Sequence, residues 1–326
     1  MRKVKIVGMG ISLPERVLTN FDLEKMVDTT DEWITERTGI KERRIADEKT
    51  ATSDLVVSAS KEALKQANLK ASELDTIIVG TSTPDTIYPA TACWVQKGLG
   101  ISGSVAFDVS AGCCGFLFAL EIAVSLICSG VAKKVLVSGA EVMSKIVNWK
   151  DRATCVLFGD GAGACIVVPT NEDRGILTSN WGADGNLAEL LYQPAGGTRM
   201  PSSFETVKNN LHYVHMAGNE VFKNAVREME NATLTALKSA NLSADDIDIF
   251  IPHQANIRII DATIKRAKIP WEKTYMVIHK YGNMSAATIP VALYEAYQEG
   301  RIKDGYKILF AAFGAGFTWA ASILKW

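Results

Sequence analysis

Residues 63–69, Ala-Leu-Lys-Gln-Ala-Asn-Leu, reappear as residues 236–242, Ala-Leu-Lys-Ser-Ala-Asn-Leu, and this repeat indicates the architecture of the chain. The offset of 173 positions continues into the apolar segments that contain Ile78 and Ile251. The chain is therefore an internal duplication, in which each half presents an equivalent strand end beside a pseudo-two-fold axis. Functional residues are expected at those strand ends, contributed by both halves.

Each half repeats one plan, in which an amphipathic helix is broken at an asparagine and followed by a short apolar strand. The predicted strands are 76–80, 135–138 and 164–168 in the first half, and 247–251, 308–311 and 320–324 in the second. Strands this short and apolar are typical of sheets covered on both faces. We predict an α/β fold of layered α/β/α/β/α architecture, with halves at 1–172 and 173–326 and a surface excursion at 182–218.

Composition and net charge narrow the range of possible functions. The chain has 326 residues, 48% of them hydrophobic, and a formal net charge of -1, which argues against nucleic acid as a partner. The longest apolar run, 113–128, contains Glu121 and is too short to span a bilayer. The six cysteines form no CxxC pair and none follows Cys165, which indicates a reducing, cytoplasmic setting without a metal site.

Cys113 is the candidate nucleophile of the first half. It follows the predicted strand 107–109 and a tight turn, and it opens the apolar helix. A helix N-terminus favours thiolate, and its backbone N–H groups can stabilise an oxyanion. Cys114 points about 100° away around a helix, so only one of the two thiols can face a site. Motif register favours Cys113.

His253 and Asn283 are the candidates of the second half. His253 directly follows the strand 247–251. Asn283 lies in the counterpart of the cysteine turn, because Cys113 maps onto Ala286 at the same offset. The glycine-rich segment 313–317 can bring backbone N–H groups to a ligand, whereas 159–163 lacks the GxGxxG pattern and predicts no dinucleotide site.

These motifs together resemble the β-ketoacyl-acyl-carrier-protein synthase III family, condensing enzymes of the thiolase superfamily. The resemblance runs end to end and is carried by Asp-Glu-Trp-Ile at 31–34, Gly-Cys-Cys-Gly-Phe at 112–116, Phe-Gly-Asp-Gly-Ala-Gly at 158–163, Pro-His-Gln-Ala-Asn at 252–256, Gly-Asn-Met-Ser-Ala-Ala at 282–287 and Phe-Gly-Ala-Gly-Phe-Thr-Trp at 313–319. It implies a thiolase-like fold.

The resemblance also implies a reaction. Cys113 would be acylated by an acyl-CoA primer, and His253 and Asn283 would stabilise the enolate formed when a malonyl-acyl carrier protein loses carbon dioxide. The N–H groups of Cys113 and Ala315 would form the oxyanion hole. The family usually has glycine at the position of Ala315, where a Cβ restricts positive φ. The reaction starts type II fatty-acid synthesis and needs no cofactor, because the CoA thioesters are substrates.

Further contacts follow from the same resemblance. The residues expected to bind CoA are Trp33, Arg37, Arg152, Gly218, Asn219, Phe222 and Asn256. Of these, Trp33 and Arg152 would sandwich the adenine. Lys223, Gln254 and Arg258 are expected to contact an acidic carrier protein. Tyr88 would cross a homodimer interface and close the partner's acyl pocket. No membrane partner is expected.

Other functions remain open at this point. A papain-like protease also uses Cys, His and Asn, but its cysteine lies near the N-terminus of a different scaffold. A thiolase needs a second catalytic cysteine, and none follows Cys165. A non-catalytic relative would lack a nucleophile at Cys113. Acyl-CoA condensing enzymes of secondary metabolism keep the same three residues and are the main alternative.

Overall fold

The computed structural model describes residues 4–326, which alternate between strands and helices in both halves. The elements up to residue 169 are β1 Val4–Ser12, β2 Arg16–Thr19, α1 Asn20–Leu23, α2 Asp31–Thr38, β3 Glu42–Ile45, α3 Thr52–Ala67, β4 Thr76–Gly80, α4 Thr91–Gly98, β5 Val105–Val109, α5 Gly115–Cys128, β6 Val135–Glu141, α6 Arg152–Cys155 and β7 Gly161–Pro169. The later elements are β8 Gly175–Ala183, β9 Leu191–Tyr192, α7 Phe204–Lys208, β10 His215–Met216, α8 Gly218–Ser239, β11 Ile249–Pro252, α9 Ile257–Ala267, α10 Ile278–Tyr281, α11 Thr288–Gln298, β12 Lys307–Gly314 and β13 Thr318–Lys325.

Two main sheets repeat one topology. The first has the strand order β1-β7-β6-β4-β5, in which β4 runs parallel to β5 and β6 while β7 runs antiparallel to β6 and β1. The second has the order β8-β13-β12-β11, in which β11 and β12 are parallel and the other pairs antiparallel. Two small sheets, β2-β3 and β9-β10, are added to this body.

The strand register confirms the duplication. Thr76 pairs with Val135 in the first sheet, and Ile249 pairs with Ile308 in the second, 173 positions later for each partner. The helix-breaking asparagine repeats as well, since both copies are left-handed, with φ of 53° in the first half and 55° in the second. The repeated sequence therefore encodes repeated backbone geometry.

Two local predictions need correction, and the two halves differ at one edge. The edge strand β5 has no strand counterpart, because the short helix α10 occupies the equivalent segment. The strand predicted at 247–251 lies at Ile249–Pro252. The α-helix predicted from Cys113 begins at Gly115, because Gly112 has a left-handed φ of 53° and residues 112–114 form a 3-10 turn.

The layered α/β/α/β/α architecture is confirmed. Helices α5 and α11 lie between the sheets, where Leu120 and Val291 share one apolar core with Val137 and Ile251. Helices α3 and α4 pack on the outer face of the first sheet, and α8 and α9 on that of the second. The turns 112–114 and 285–287, which precede α5 and α11, contact each other between the sheets. The fold thus brings equivalent turns of both halves together.

The remaining expectations concern the link and membrane contact. The predicted boundary between residues 172 and 173 falls in the connection between β7 and β8, and it stays a prediction. Among residues 4–326, no helix combines the length and the apolar character that crossing a bilayer requires. The segment 182–218 holds the end of β8, the β9-β10 pair and α7.

Candidate active site

Two backbone turns meet at Cys113. A Cβ built on Gly112 would lie 2.6 Å from the Ala315 nitrogen, and one on Gly314 would overlap the Cys113 nitrogen. Only glycine therefore permits this approach. The left-handed φ in the second turn belongs to Gly316, and Ala315 has an ordinary negative φ. The Cβ of Ala315 is accordingly accommodated without backbone strain, and the amides of Cys113 and Ala315 lie in adjacent turns.

The surroundings of Cys113 disfavour the thiolate expected from its position. Burial raises its pKa to about 12, the Ser285 hydroxyl lowers it in part, and the Glu141 carboxylate raises it further. The helix α5 begins two residues later, so Cys113 lies outside its first turn. Cys114 is fully buried in the core between the sheets. Cys113, by contrast, lines a cavity.

His253 follows β11 and is held by its backbone, whose N–H donates to the Ala311 carbonyl over 2.7 Å. Its side chain is 3% exposed, and neither ring nitrogen has a hydrogen-bond partner among the described residues. Burial lowers its pKa to about 4, so the imidazole is neutral at physiological pH. A neutral imidazole offers one N–H donor and one acceptor to a substrate.

Asn283 is fixed on both sides of its turn. Its backbone N–H donates to the Leu157 carbonyl over 2.9 Å, and its carbonyl accepts from Gly159 over 3.1 Å. Its side-chain Oδ1 accepts from the Ser285 N–H over 2.8 Å. These bonds orient the amide group so that Nδ2 is left as a hydrogen-bond donor.

One cavity of about 300 Å³ contains all three predicted catalytic residues. Of the other predicted site residues, it is also lined by Trp33, Arg37, Arg152, Gly218, Asn219, Phe222, Asn256 and Arg258. The first three come from α2 and α6, and the others from α8 and the start of α9. The segment 182–218 contributes Leu191 and Met216. The structure therefore brings together residues far apart in the chain.

Two arginine side chains in the cavity lining lie against the ring of Trp33. The Arg152 guanidinium lies 5.2 Å and that of Arg37 5.7 Å from the Trp33 ring centroid. An adenine between Trp33 and Arg152 would need about 7 Å, twice a van der Waals contact distance. The predicted sandwich is therefore closed in this structure, where Arg152 also donates to the Asp28 carbonyl over 2.8 Å.

A further arginine stacks on an aromatic ring in the lining of the same cavity. The Arg258 guanidinium lies 5.5 Å from the Phe222 ring. Asn256 caps α9, since its side-chain oxygen accepts from the Arg258 N–H over 2.8 Å. This bond leaves the amide nitrogen of Asn256 for a ligand.

The predicted carrier-protein contact of Gln254 is wrong. The residue is 0% exposed, its amide donates to the Tyr275 carbonyl, and its oxygen accepts from the N–H groups of Val277 and Ile278. It is therefore an internal brace between β11 and α10. Lys223, in contrast, is exposed and paired with Glu220 over 2.8 Å.

Tyr88 lies outside the cavity. Its side chain is 85% exposed and that of its neighbour Ile87 is 81% exposed. Two large apolar side chains side by side on a surface are typical of contact with another molecule.

Two residues near Cys113 were missed from the sequence. Glu141 and Ser285 are buried beside the thiol and hydrogen-bond each other over 3.0 Å. The duplication carries a signal that points to both, because the 173-residue offset maps Gly112 onto Ser285 and Glu141 onto Gly314. At each of these two pairs of equivalent positions, one half has a polar residue and the other half has glycine.

Comparison with known families and proteins gives consistent matches. Residues 107–185 match the family model described as 3-oxoacyl-[acyl-carrier-protein] synthase III, and residues 237–326 match the model for the C-terminal part of the same enzymes. The protein is 58% identical to beta-ketoacyl-[acyl-carrier-protein] synthase III of Caldanaerobacter subterraneus, over 98% of this chain and 97% of that one. It is 52% identical to the protein of that name from Clostridioides difficile, over 99% and 98%.

The structural comparison agrees. The crystal structure of 3-oxoacyl-[acyl-carrier-protein] synthase III from Aquifex aeolicus superposes with a TM-score of 0.92 at 50% identity, covering 99% of this chain and 100% of that one. Both sheets and both central helices are therefore shared.

Proposed function

This chain belongs to the 3-oxoacyl-[acyl-carrier-protein] synthase III family and is an acyltransferase of the condensing type, and we propose how its residues perform the reaction. The reaction is the decarboxylative Claisen condensation of an acyl-CoA primer with malonyl-acyl carrier protein, which initiates type II fatty-acid synthesis. The products are a β-ketoacyl-acyl carrier protein, carbon dioxide and CoA. The observation that supports the residue roles best is that Cys113, His253 and Asn283 line one cavity.

In the first step, the Cys113 sulfur attacks the thioester carbonyl of the acyl-CoA. The carbonyl oxygen becomes an oxyanion that the N–H groups of Cys113 and Ala315 stabilise. CoA leaves as the carbon–sulfur bond breaks, and the Cys113 proton passes in net terms to the CoA sulfur. The close approach of the two glycine-flanked turns supports this assignment.

In the second step, the malonyl thioester oxygen accepts hydrogen bonds from the His253 imidazole and the Asn283 amide. Charge on that oxygen grows as carbon dioxide leaves, so donors already in place favour the transition state. The carbanion then attacks the Cys113 thioester and displaces the thiolate, which takes a proton from solvent. The low pKa of His253 supports a neutral donor that does not exchange its proton with the carbanion.

The CoA part of the primer occupies the cavity mouth. The adenine and phosphates bind to Trp33, Arg37 and Arg152 after Arg152 moves away from the Trp33 ring. The pantetheine arm contacts Gly218, Asn219, Phe222 and Asn256. CoA thioesters act as substrates, and the proposed reaction uses no cofactor. Exposed Lys223 and Arg258 suit an acidic carrier protein, because complementary charge speeds association.

We further propose a cytoplasmic homodimer. The exposed pair Ile87 and Tyr88 supports an interface in which Tyr88 reaches the partner's acyl pocket. The six cysteines are all free, as expected in a reducing compartment.

The alternative, a condensing enzyme of secondary metabolism, is less favoured. The relatives at 52% and 58% identity span nearly the whole chain, and both carry the fatty-acid enzyme's name.

Mass spectrometry tests the proposal. Protein incubated with acetyl-CoA or isobutyryl-CoA should carry an acyl adduct on Cys113, and malonyl-acyl carrier protein should discharge it as a β-ketoacyl product. Cys113→Ala is the matched control and should carry no adduct. If no acyl-CoA leaves an adduct on the wild-type protein, or if Cys113→Ala still condenses, the proposed mechanism is wrong.

A further inference from the structure

A buried carboxylate lies at the end of the strand β6, against the turn that follows Asn283. Glu141, the last residue of β6, is 0% exposed, and none of the ion pairs among residues 4–326 includes it. A carboxylate without a cation is costly to bury. The reaction steps proposed above do not use it.

Hydrogen bonds from both halves converge on this carboxylate. The Ser82 N–H donates to both of its oxygens over 3.1 Å, and one oxygen also accepts from the hydroxyls of Thr83 over 2.6 Å and Thr81 over 3.3 Å. The other oxygen accepts from the Ser285 hydroxyl over 3.0 Å. Glu141 therefore ties the segment after β4 to the 285–287 turn of the second half.

Ser285 extends this restraint to Asn283. The Ser285 backbone N–H donates to the Asn283 side-chain Oδ1 over 2.8 Å, which leaves Nδ2 of that amide as the donor. The direction of the N–H depends on the backbone of Ser285, whose hydroxyl is held by Glu141. Two hydrogen bonds in series thus connect the buried carboxylate to the orientation of the Asn283 amide.

The backbone of Ser285 shows why it needs to be held. Its φ is 47°, in the left-handed region that non-glycine residues adopt only with strain. The equivalent position in the first half is Gly112, whose φ is 53°. A strained non-glycine residue persists where its surroundings hold it, and such residues cluster at functional sites. The bond to Glu141 restrains Ser285 in this conformation.

Equivalent strand ends hold the turns of the opposite halves. The offset of 173 maps Glu141 onto Gly314, and these are the last residues of β6 and β12. Gly314 lies against the 112–114 turn, where a Cβ would overlap the Cys113 nitrogen. In the proposed reaction that turn supplies a backbone N–H, which close approach alone can place. The other turn serves a side-chain amide, which also has to be oriented.

We propose that Glu141 is a positioning residue of the condensation, which acts through Ser285 to hold the Asn283 amide towards the malonyl thioester oxygen. This inference rests on the proposed function, which assigns Asn283 to the second step. Neither Glu141 nor Ser285 lines the cavity, whereas Asn283 does. The carboxylate therefore acts on the substrate only through Asn283.

The proposal separates the two steps of the reaction. Acylation depends on the N–H groups of Cys113 and Ala315, whereas discharge of the acyl-enzyme by malonyl-acyl carrier protein depends on Asn283. A donor aimed at developing charge contributes to the transition state more than to substrate binding. Loss of the restraint should therefore lower the discharge rate at saturation and leave both half-saturation and acylation unchanged.

The experiment follows both steps in single turnovers by intact mass. Cys113 is acylated with acetyl-CoA or isobutyryl-CoA, and the isolated acyl-enzyme is then mixed with malonyl-acyl carrier protein. Ser285→Gly suits the left-handed φ and removes the hydroxyl. Its discharge rate at saturation should fall about tenfold, which is part of the loss of about 100-fold expected for Asn283→Ala. Acylation and half-saturation should stay within about threefold of wild type.

Two Glu141 variants test the hydrogen bond itself. Glu141→Met has a similar length and no acceptor, so its discharge rate should also fall about tenfold. Glu141→Gln removes the charge but can still pair with the Ser285 hydroxyl, so it should stay within about threefold of wild type.

A double-mutant cycle identifies the route of the effect. In Asn283→Ala there is no amide to orient, so adding Ser285→Gly should lower the discharge rate no further. Glu62→Met is the matched control, because Glu62 also accepts from a backbone N–H, that of Ile11, and from a hydroxyl, that of Tyr294, but does not line the cavity. It should keep both rates.

The outcomes separate the possibilities. Wild-type discharge in Ser285→Gly or in Glu141→Met overturns the inference alone. An equal loss of acylation and discharge also overturns it, because that result indicates a general structural role. So does a full further loss when Ser285→Gly is added to Asn283→Ala, or a Glu141→Gln protein as slow as Glu141→Met. A wild-type protein that forms no Cys113 adduct, or whose adduct malonyl-acyl carrier protein does not discharge, overturns the proposed function.

Discussion

Replacing Gly314 by alanine tests the geometry of the oxyanion hole. Gly314 is the last residue of β12, and a Cβ there would overlap the Cys113 nitrogen and lie 3.1 Å from its Cα and 3.2 Å from its Cβ. The φ of Gly314 is outside the left-handed region, so its backbone tolerates alanine. The substitution therefore acts by steric overlap alone.

The overlap sets the expected magnitude. Restoring contact distances of about 3.5 Å requires the Cys113 turn to move by about 1 Å. Overpacking of this kind costs about 1 to 3 kcal/mol in the free energy of unfolding. Displacing one oxyanion donor typically lowers the rate by about 100-fold. We expect both effects in Gly314→Ala.

The assay is acylation of Cys113 by acyl-CoA, with urea unfolding of the same samples. Ala315→Gly is the matched control, because it changes one methyl group in the same turn at a residue with ordinary φ. It should acylate within about threefold of wild type. Wild-type acylation by Gly314→Ala would refute the proposed close approach of the two turns.

Three other predictions follow from the site. Because the folded-state pKa of His253, about 4, lies below the ordinary histidine value of 6.5, its contribution to stability is present above pH 6.5 and is lost as the pH falls towards 4, by up to about 3 kcal/mol. Urea unfolding at pH 7.5 and 4.5 should show a smaller loss of stability for His253→Gln than for wild type, and equal losses would contradict this. Trp33→Ala should raise the KM for acyl-CoA about tenfold and leave kcat unchanged, since stacking on the ring is worth about 1 to 2 kcal/mol. The control Trp271→Ala, at a half-exposed residue outside the cavity, should leave steady-state kinetics unchanged. Gln254→Ala should lower the free energy of unfolding by roughly 3 kcal/mol, because three buried backbone groups lose their partner. The KM for malonyl-acyl carrier protein should not change. A raised KM at unchanged stability would support the original prediction that Gln254 contacts the carrier protein.

Much of the fold could be predicted because its helices and strands follow from local sequence patterns. The repeat at 63–69 and 236–242 fixes equivalent helices and strands, since periodicity and helix-breaking residues act over a few positions. The missing counterpart of β5 could not be predicted, because the choice between an edge strand and the short helix α10 depends on tertiary packing.

The site divides in the same way. Cys113, His253 and Asn283 could be proposed from motifs and from strand ends, and the structure places them in one cavity. The burial of Gln254 could not, because Gln254 is adjacent to His253 in sequence yet turns its side chain into backbone groups of another segment.

The repeated patterns along the chain were enough to predict a duplicated, layered fold with its polar residues at equivalent strand ends. The pKa values of those residues required the folded structure, because a pKa depends on burial and on neighbours that are distant in the chain. Desolvation raises the pKa of the Cys113 thiol and lowers that of the His253 imidazole, so both groups favour the uncharged form. The Glu141 carboxyl accepts a hydrogen bond from Ser285, which lies 144 positions further along the chain, because the two halves fold onto each other.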